Sequence, residues 1–307
     1  KSLLSDTIVF GIGNFAVKIV YFLLMPIYTI ALTTSEFGVV DLLNNLLSIL
    51  IPILTLSISD AVYRFTFDKG VNLTLLLNNA FHVLFSSYLF VGFIFIIVFH
   101  FFCVDTYWLF FVFWYVVNSM KTLLAQYTRA LGKVWSFSIN GILGAIVLFL
   151  SSYIFIYYYP LGVTGYLVAF IFSDVASFLF LSYKTRIWNY LSFKECSYSL
   201  LRMMLFYSLP LIPNMLSWWL INISSRYLIA GFCGLSMAGL FSSASKIPAL
   251  LNIFTSIFQQ SWQFASIKEY QESKQSDFFS MVFQKYSFIC LSACSIIILM
   301  VPFISKI

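Results

Sequence analysis

The sequence predicts an all-α integral membrane protein, and three observations lead there. Of its 307 residues, 61% are hydrophobic and 9% charged, with a mean hydropathy of +0.95; soluble domains hold about a quarter charged residues. The apolar residues fall into about nine continuous runs, each near the roughly 20 residues a helix needs to cross a bilayer core. The runs do not alternate apolar with polar positions, which argues against a transmembrane β-barrel.

Spanning helices are expected at 7–31, 38–62, 78–102, 107–131, 135–159, 162–183, 203–231, 236–262 and 279–303. The first is too long for a signal-peptide core, and no small-residue cleavage site follows it. The second starts at Gly38 after the polar turn Thr33 to Phe37 and stops at the charged loop Arg64 to Lys69. The third and fourth are separated by His100 to Tyr107, and the fourth ends at Arg129 to Lys133. The fifth and sixth meet at Tyr158 to Gly165, and the sixth runs into Lys184 and Arg186. The seventh carries an early Leu209-Pro210, the eighth follows Cys233 to Met237 and ends before Lys268, and the ninth follows Lys274.

These connectors sort by charge. Lys1, Arg64, Lys69, Arg129, Lys133, Lys184, Arg186, Lys194, Arg202, Lys268, Lys274 and Lys285 share one side, and only Lys306 falls on the other. An excess of Lys and Arg marks cytoplasmic loops, so the N-terminus is expected in the cytoplasm. The net charge of +6 is explained in this way, and no basic patch suggests a nucleic-acid partner.

Four basic residues break that rule by lying inside apolar runs: Lys18, Lys121, Arg226 and Lys246. Charge at membrane depth costs several kcal/mol at least, so such a residue normally faces water, a partner or a ligand. Each has a plainer alternative. Lys18 could snorkel to the cytoplasm or pair with Asp174, and Lys246 could rise to the outer interface. Asp174, mid-helix beside Ser173 and Ser177, is read as a counterion for Lys18 or Lys121 in preference to a proton or sodium coupling site. Asp41 and Asp60 bracket the second helix and are given structural roles. Cys103, Cys196, Cys233, Cys290 and Cys294 show no metal-ligand spacing.

Catalytic motifs fail. His100 and Asp105 have an acyltransferase spacing but sit in a short external loop, and Gly11-Ile12-Gly13-Asn14 lacks the third glycine of a dinucleotide fingerprint. No phosphate loop is present, so no catalytic residue, metal or nucleotide cofactor is expected.

Placing Gly38 on Gly239 aligns Phe37 to Phe65 with Ala238 to Ser266, a weak internal repeat with a period of six helices. An even number returns the second copy to the same side, giving a parallel repeat of the kind transporters use, with the site between halves. The expected organisation is a six-helix lobe at 1–183, an interfacial linker at 184–202 and the first three helices of a second lobe at 203–307. Three more helices are expected to follow Ile307.

Several segments resemble one family. Met25-Pro26-Ile27-Tyr28-Thr29, Glu36-Phe37-Gly38-Val39-Val40-Asp41-Leu42-Leu43 and Asp60-Ala61-Val62-Tyr63-Arg64-Phe65 resemble the opening of the polysaccharide flippases. These are the O-antigen and capsule repeat-unit exporters of the multidrug/oligosaccharidyl-lipid/polysaccharide (MOP) superfamily. Leu209-Pro210-Leu211-Ile212-Pro213, Arg226-Tyr227-Leu228 and Gly239 to Lys246 resemble the start of that family's second lobe. One departure is Ser225, where the family commonly has an acidic residue before the Arg. The resemblance implies a two-lobe bundle that flips an undecaprenyl-diphosphate-linked oligosaccharide across the bacterial cytoplasmic membrane, coupled to an H+ or Na+ gradient. Polysaccharide polymerase and chain-length machinery are the implied protein partners. In that setting Lys18, Lys121, Arg226 and Lys246 would line a cationic cavity for the diphosphate. Asn14, Asn118, Asn214, Trp218 and Asn222, with Gln126, Asn140, Asn252, Trp219 and Tyr227, would contact sugar. Another MOP cargo (a drug, a teichoic-acid precursor or a peptidoglycan precursor) and a membrane polymerase or acyltransferase are the alternatives.

The charge split is tested by labelling. In a cysteine-free background, Ser35→Cys should react with an impermeant maleimide in intact cells and Lys69→Cys should not; the reverse pattern would overturn the orientation.

Overall fold

The computed structural model describes residues 17–18, 20, 23–24, 27–28, 30–68, 70–101, 107–190, 196–233, 255, 258–259, 262–263 and 276–304. All regular structure among them is helical. The described positions from Val17 to Ala31 are helical, and the remaining helices are α1 (Thr34–Leu54), α2 (Ile58–Phe65), α3 (Leu73–Phe101), α4 (Tyr107–Ala130), α5 (Val134–Ser152), α6 (Gly162–Thr185), α7 (Tyr198–Ser208), α8 (Leu211–Cys233) and α9 (Ser276–Ile304). Among the described residues, five stretches are long and apolar enough to cross a membrane, and the bent pair α1–α2 makes a sixth. This is a multi-pass membrane protein. Most of the span expected at 7–31, and nearly all of that at 236–262, lies outside the described residues.

The chain divides into two compact units, one within residues 11–216 and one made largely by residues 217–307. The first reaches past the connector at 184–202 because α7 packs on α2 and α3. Asn79 holds that connection: its amide donates to the Ser197 carbonyl at 3.0 Å, and its Oδ1 accepts from the Ser197 N–H at 3.2 Å. Ser197 then caps α7, starting the helix at Tyr198, five residues before the start expected from hydropathy. In the second unit, Phe258 stacks on Tyr286 of α9 with ring centroids 4.2 Å apart.

The span expected at 38–62 is two helices. It begins earlier, at Thr34, because Thr33 and Glu36 form a reciprocal capping box: the Thr33 hydroxyl accepts from Glu36 N–H, and the Glu36 carboxylate accepts from Thr33 N–H at 2.9 Å. It breaks between Leu54 and Ile58, where the axis bends by 59°. Pro52 removes one helical N–H, and Leu56 and Ser57 take left-handed backbone at φ 53° and 49°. Left-handed backbone costs a non-glycine residue about 1–2 kcal/mol, so the break persists only because α2 is held by packing on α4 and α7. The buried side chains Ile58, Ala61 and Val62 sit there in one apolar core with Leu77, Leu123 and Met204. A second core gathers Leu43, Leu47, Trp114, Leu148 and Leu167 from α1, α4, α5 and α6.

At its C-terminal end α5 widens into a π-helical turn over Tyr153–Tyr158, after which Gly162 opens α6 at φ 57°. A Cβ there would run into the Glu36 carboxyl group, so a side chain at this left-handed position would displace the group that caps α1. The Thr33 N–H and hydroxyl hold the Glu36 carboxyl below its usual range. A lowered carboxylate pKa contributes stability above the ordinary value that is lost as pH falls through the lowered one. Gly162→Ala should therefore lower thermal stability in detergent by about 1–2 kcal/mol, from backbone strain and a disturbed cap. Gly92→Ala, which meets open space on α3, should not. Equal melting temperatures for the two would refute the contact.

Candidate functional site

A carboxylate with three side-chain donors lies inside the bundle of the first unit. Asp174, midway along α6, is 2% exposed. A bare charge there would cost many kcal/mol, and three donors from one face of α4 offset that cost. Trp114, Asn118 and Lys121 follow one another at spacings of four and three residues, which stacks them along the helix. Trp114 Nε1 donates to Oδ2 at 2.9 Å, Asn118 Nδ2 to the same oxygen at 2.7 Å, and Lys121 Nζ to Oδ1 at 2.6 Å.

The pair forms one side of a cavity of about 370 Å³ inside this unit, lined by Asn44, Ser48 and Ile51 of α1, Trp114, Asn118 and Lys121 of α4, Asn140, Gly141 and Gly144 of α5, and Phe170, Ser173 and Ser177 of α6. Small residues make the close approach of α5 and α6: the Ser173 hydroxyl donates to the Gly144 carbonyl at 2.7 Å, and a Cβ on Gly144 would come within 2.8 Å of Ser177 Oγ. Asn44 is oriented by donating to the Tyr166 hydroxyl at 2.5 Å and to the Val40 carbonyl at 3.1 Å. Asn140 differs. It is 6% exposed, and its Oδ1 is buried with no hydrogen-bond partner among the described residues. Lys121 is 29% exposed, so its ammonium serves Asp174 while keeping access to the cavity. The arrangement can take a hydroxyl-bearing or anionic group, with an acceptor for Lys121 and the tilted rings of Trp114 and Phe170, 5.0 Å apart, as an apolar wall.

Of the residues proposed from sequence, the fold brings together Asn118, Lys121 and Asp174, with Asn140 across the cavity. Lys18 is exposed and makes no ion pair with Asp174, because α4 packs along α6 and its side chains fill both carboxylate oxygens. Asn214 and Trp218 are exposed on α8, and Asn214 is not among the residues lining this cavity. Asn222 and Arg226 lie on the backbone of α8 with side chains outside the description, and Asn14 and Lys246 lie outside the described residues altogether. Arg129 corrects a second expectation. Assigned to a loop by its charge, it is 7% exposed at the end of α4, with its guanidinium over the Tyr63 ring at 4.1 Å. The sequence reading missed Trp114, Asn44 and Gly144; the signal was the heptad-like spacing of polar groups at 114, 118 and 121 in an apolar run.

No family model and no curated relative matches the sequence. Solved structures do. A MATE transporter in the straight conformation superposes with a TM-score of 0.77 at 18% identity, covering 99% of this chain and 73% of that one. A MOP superfamily transporter from Pyrococcus furiosus, described as having a binding pocket of reversed polarity that suggests a different function, gives 0.67 at 17%, covering 87% and 64%. An outward-facing multidrug resistance MATE transporter gives 0.62 at 18%, also covering 87% and 64%. The chain thus spans about three quarters of the first and under two thirds of the other two. It has the all-helical fold of the MOP superfamily transporters.

The ion pair is tested by a double-mutant cycle. Lys121→Met should cost about 3–5 kcal/mol by stranding a buried carboxylate, whereas Lys121→Met with Asp174→Asn should recover most of it. Additive losses in unfolding of the purified protein would show that the two groups do not act as a pair.

Proposed function

We propose that the protein translocates an undecaprenyl-diphosphate-linked oligosaccharide from the inner to the outer leaflet of the bacterial cytoplasmic membrane, by alternating access coupled to an H+ or Na+ gradient. The observation that carries this is the cavity in the first unit, whose lining includes Lys121 together with the polar side chains Asn44, Asn118 and Ser48. A sugar head needs donors and acceptors inside the membrane, and a diphosphate needs fixed positive charge where its desolvation is otherwise prohibitive. Lys18, Arg226 and Lys246 are the further cations of this proposal. Arg226 suits a phosphate best because its guanidinium engages two oxygens at once and Ser225 places no acid before it. The N-terminus lies in the cytoplasm, and the exported units pass to polysaccharide polymerase and chain-length machinery.

A second cargo of the same fold, such as a drug, a teichoic-acid precursor or a peptidoglycan precursor, is favoured by one observation: Asp174 neutralises Lys121, so this lysine does not give the cavity a net charge.

Asn140→Ala removes a polar side chain from the cavity lining, so it should lower surface glycan about tenfold at unchanged abundance, equivalent to about 1.4 kcal/mol of lost interaction. Arg226→Gln should do the same. Wild-type surface glycan from both variants, measured beside membrane abundance, would sink the proposal. Wild-type glycan with raised drug sensitivity would select the second cargo.

A further inference from the structure

The C-terminal end of α6 carries a second recess, independent of the cavity and of the proposed cargo. The helix stops at Thr185, and Arg186 turns the chain in left-handed backbone at φ 52° and ψ 43°. A short 3₁₀ turn over Ile187–Asn189 follows; it buries Ile187 at 1% exposure and turns Trp188 outward at 65%. As a result Tyr183, Lys184, Arg186 and Trp188 surround a recess of about 430 Å³. Lys133, from the turn before α5, donates its ammonium to the Lys184 carbonyl at 2.8 Å, bringing a third cation to the same helix end. Lys184 Nζ rests 5.7 Å from the Phe180 ring and 6.0 Å from that of Tyr183. Among the described residues no carboxylate lines the recess, and neither Lys184 nor Arg186 has an ion-pair partner.

We infer that this recess binds the phosphate headgroup of an anionic phospholipid. The end of a membrane-spanning helix lies at headgroup depth, and exposed Trp and Tyr side chains settle at that level. Two cations with no carboxylate partner among the described residues, set between two aromatic faces, match a phosphodiester attached to an acyl chain: the guanidinium takes phosphate oxygens, and the rings lie along the glycerol and upper chain. A free anion would use the charges but gain nothing from Tyr183 and Trp188.

The test uses the purified full chain in detergent, with bound lipid counted by native mass spectrometry after exposure to phosphatidylglycerol or phosphatidylcholine. Lys184→Gln and Arg186→Asn remove the charges, and asparagine keeps the left-handed cap that Arg186 adopts. Wild type should retain phosphatidylglycerol over phosphatidylcholine. Each variant should lose about fivefold, which is about 1 kcal/mol per cation, and the pair about twenty-five-fold. Arg202→Gln, an exposed cation elsewhere, should lose nothing. Equal retention of the two lipids by wild type, unchanged retention in the double variant at matched melting temperature, or an equal loss in Arg202→Gln would overturn the site. Full displacement of the lipid by inorganic phosphate at equal concentration would overturn the lipid in favour of a free anion.

Discussion

Burying a carboxylate in an apolar bundle is the constraint around which the first unit is arranged. Asp174 can stay on α6 only where three donors reach it, and all three come from α4. That requirement sets the rotation of α4 about its own axis and its distance from α6. It also places Phe170 against Trp114 and directs the other polar face of α6, Ser173 and Ser177, toward α5. Replacing the pair with apolar residues of similar size could leave the bundle no less stable, so the pair is better understood as specifying one arrangement than as adding net stability.

Small side chains then determine how much space is left. Gly141 and Gly144 let α5 approach until the Ser173 hydroxyl reaches a backbone carbonyl, and the space enclosed with α1 becomes a cavity with polar walls. The strained break at Leu56 and Ser57 serves the same unit, because it redirects the chain from α1 into α2, whose buried face fills a separate core with α3, α4 and α7. Local backbone energy is spent where tertiary packing recovers it.

Much was legible before any coordinates. Long apolar runs gave spans at 107–131, 135–159 and 162–183 that the helices Tyr107–Ala130, Val134–Ser152 and Gly162–Thr185 match closely, since hydrocarbon thickness sets helix length directly. Boundaries decided by hydrogen bonds instead of hydropathy were not. Thr33 with Glu36 started one helix early, Ser197 started another early, and two left-handed residues split a run that hydropathy reads as one span.

The site divides the same way. The sequence by itself determined that a handful of charges, Lys121 and Asp174 among them, fall within long apolar runs, where a charge needs water, a partner or a ligand. Only tertiary structure decided which of them meet: Lys121, 53 residues from Asp174 in the chain, pairs with it, while Lys18 stays exposed. Membership of an apolar run follows from neighbours along the chain, whereas burial and pairing depend on which helix faces pack and how closely, and that is settled by glycines, serines and an indole N–H whose roles no single-residue signal announces.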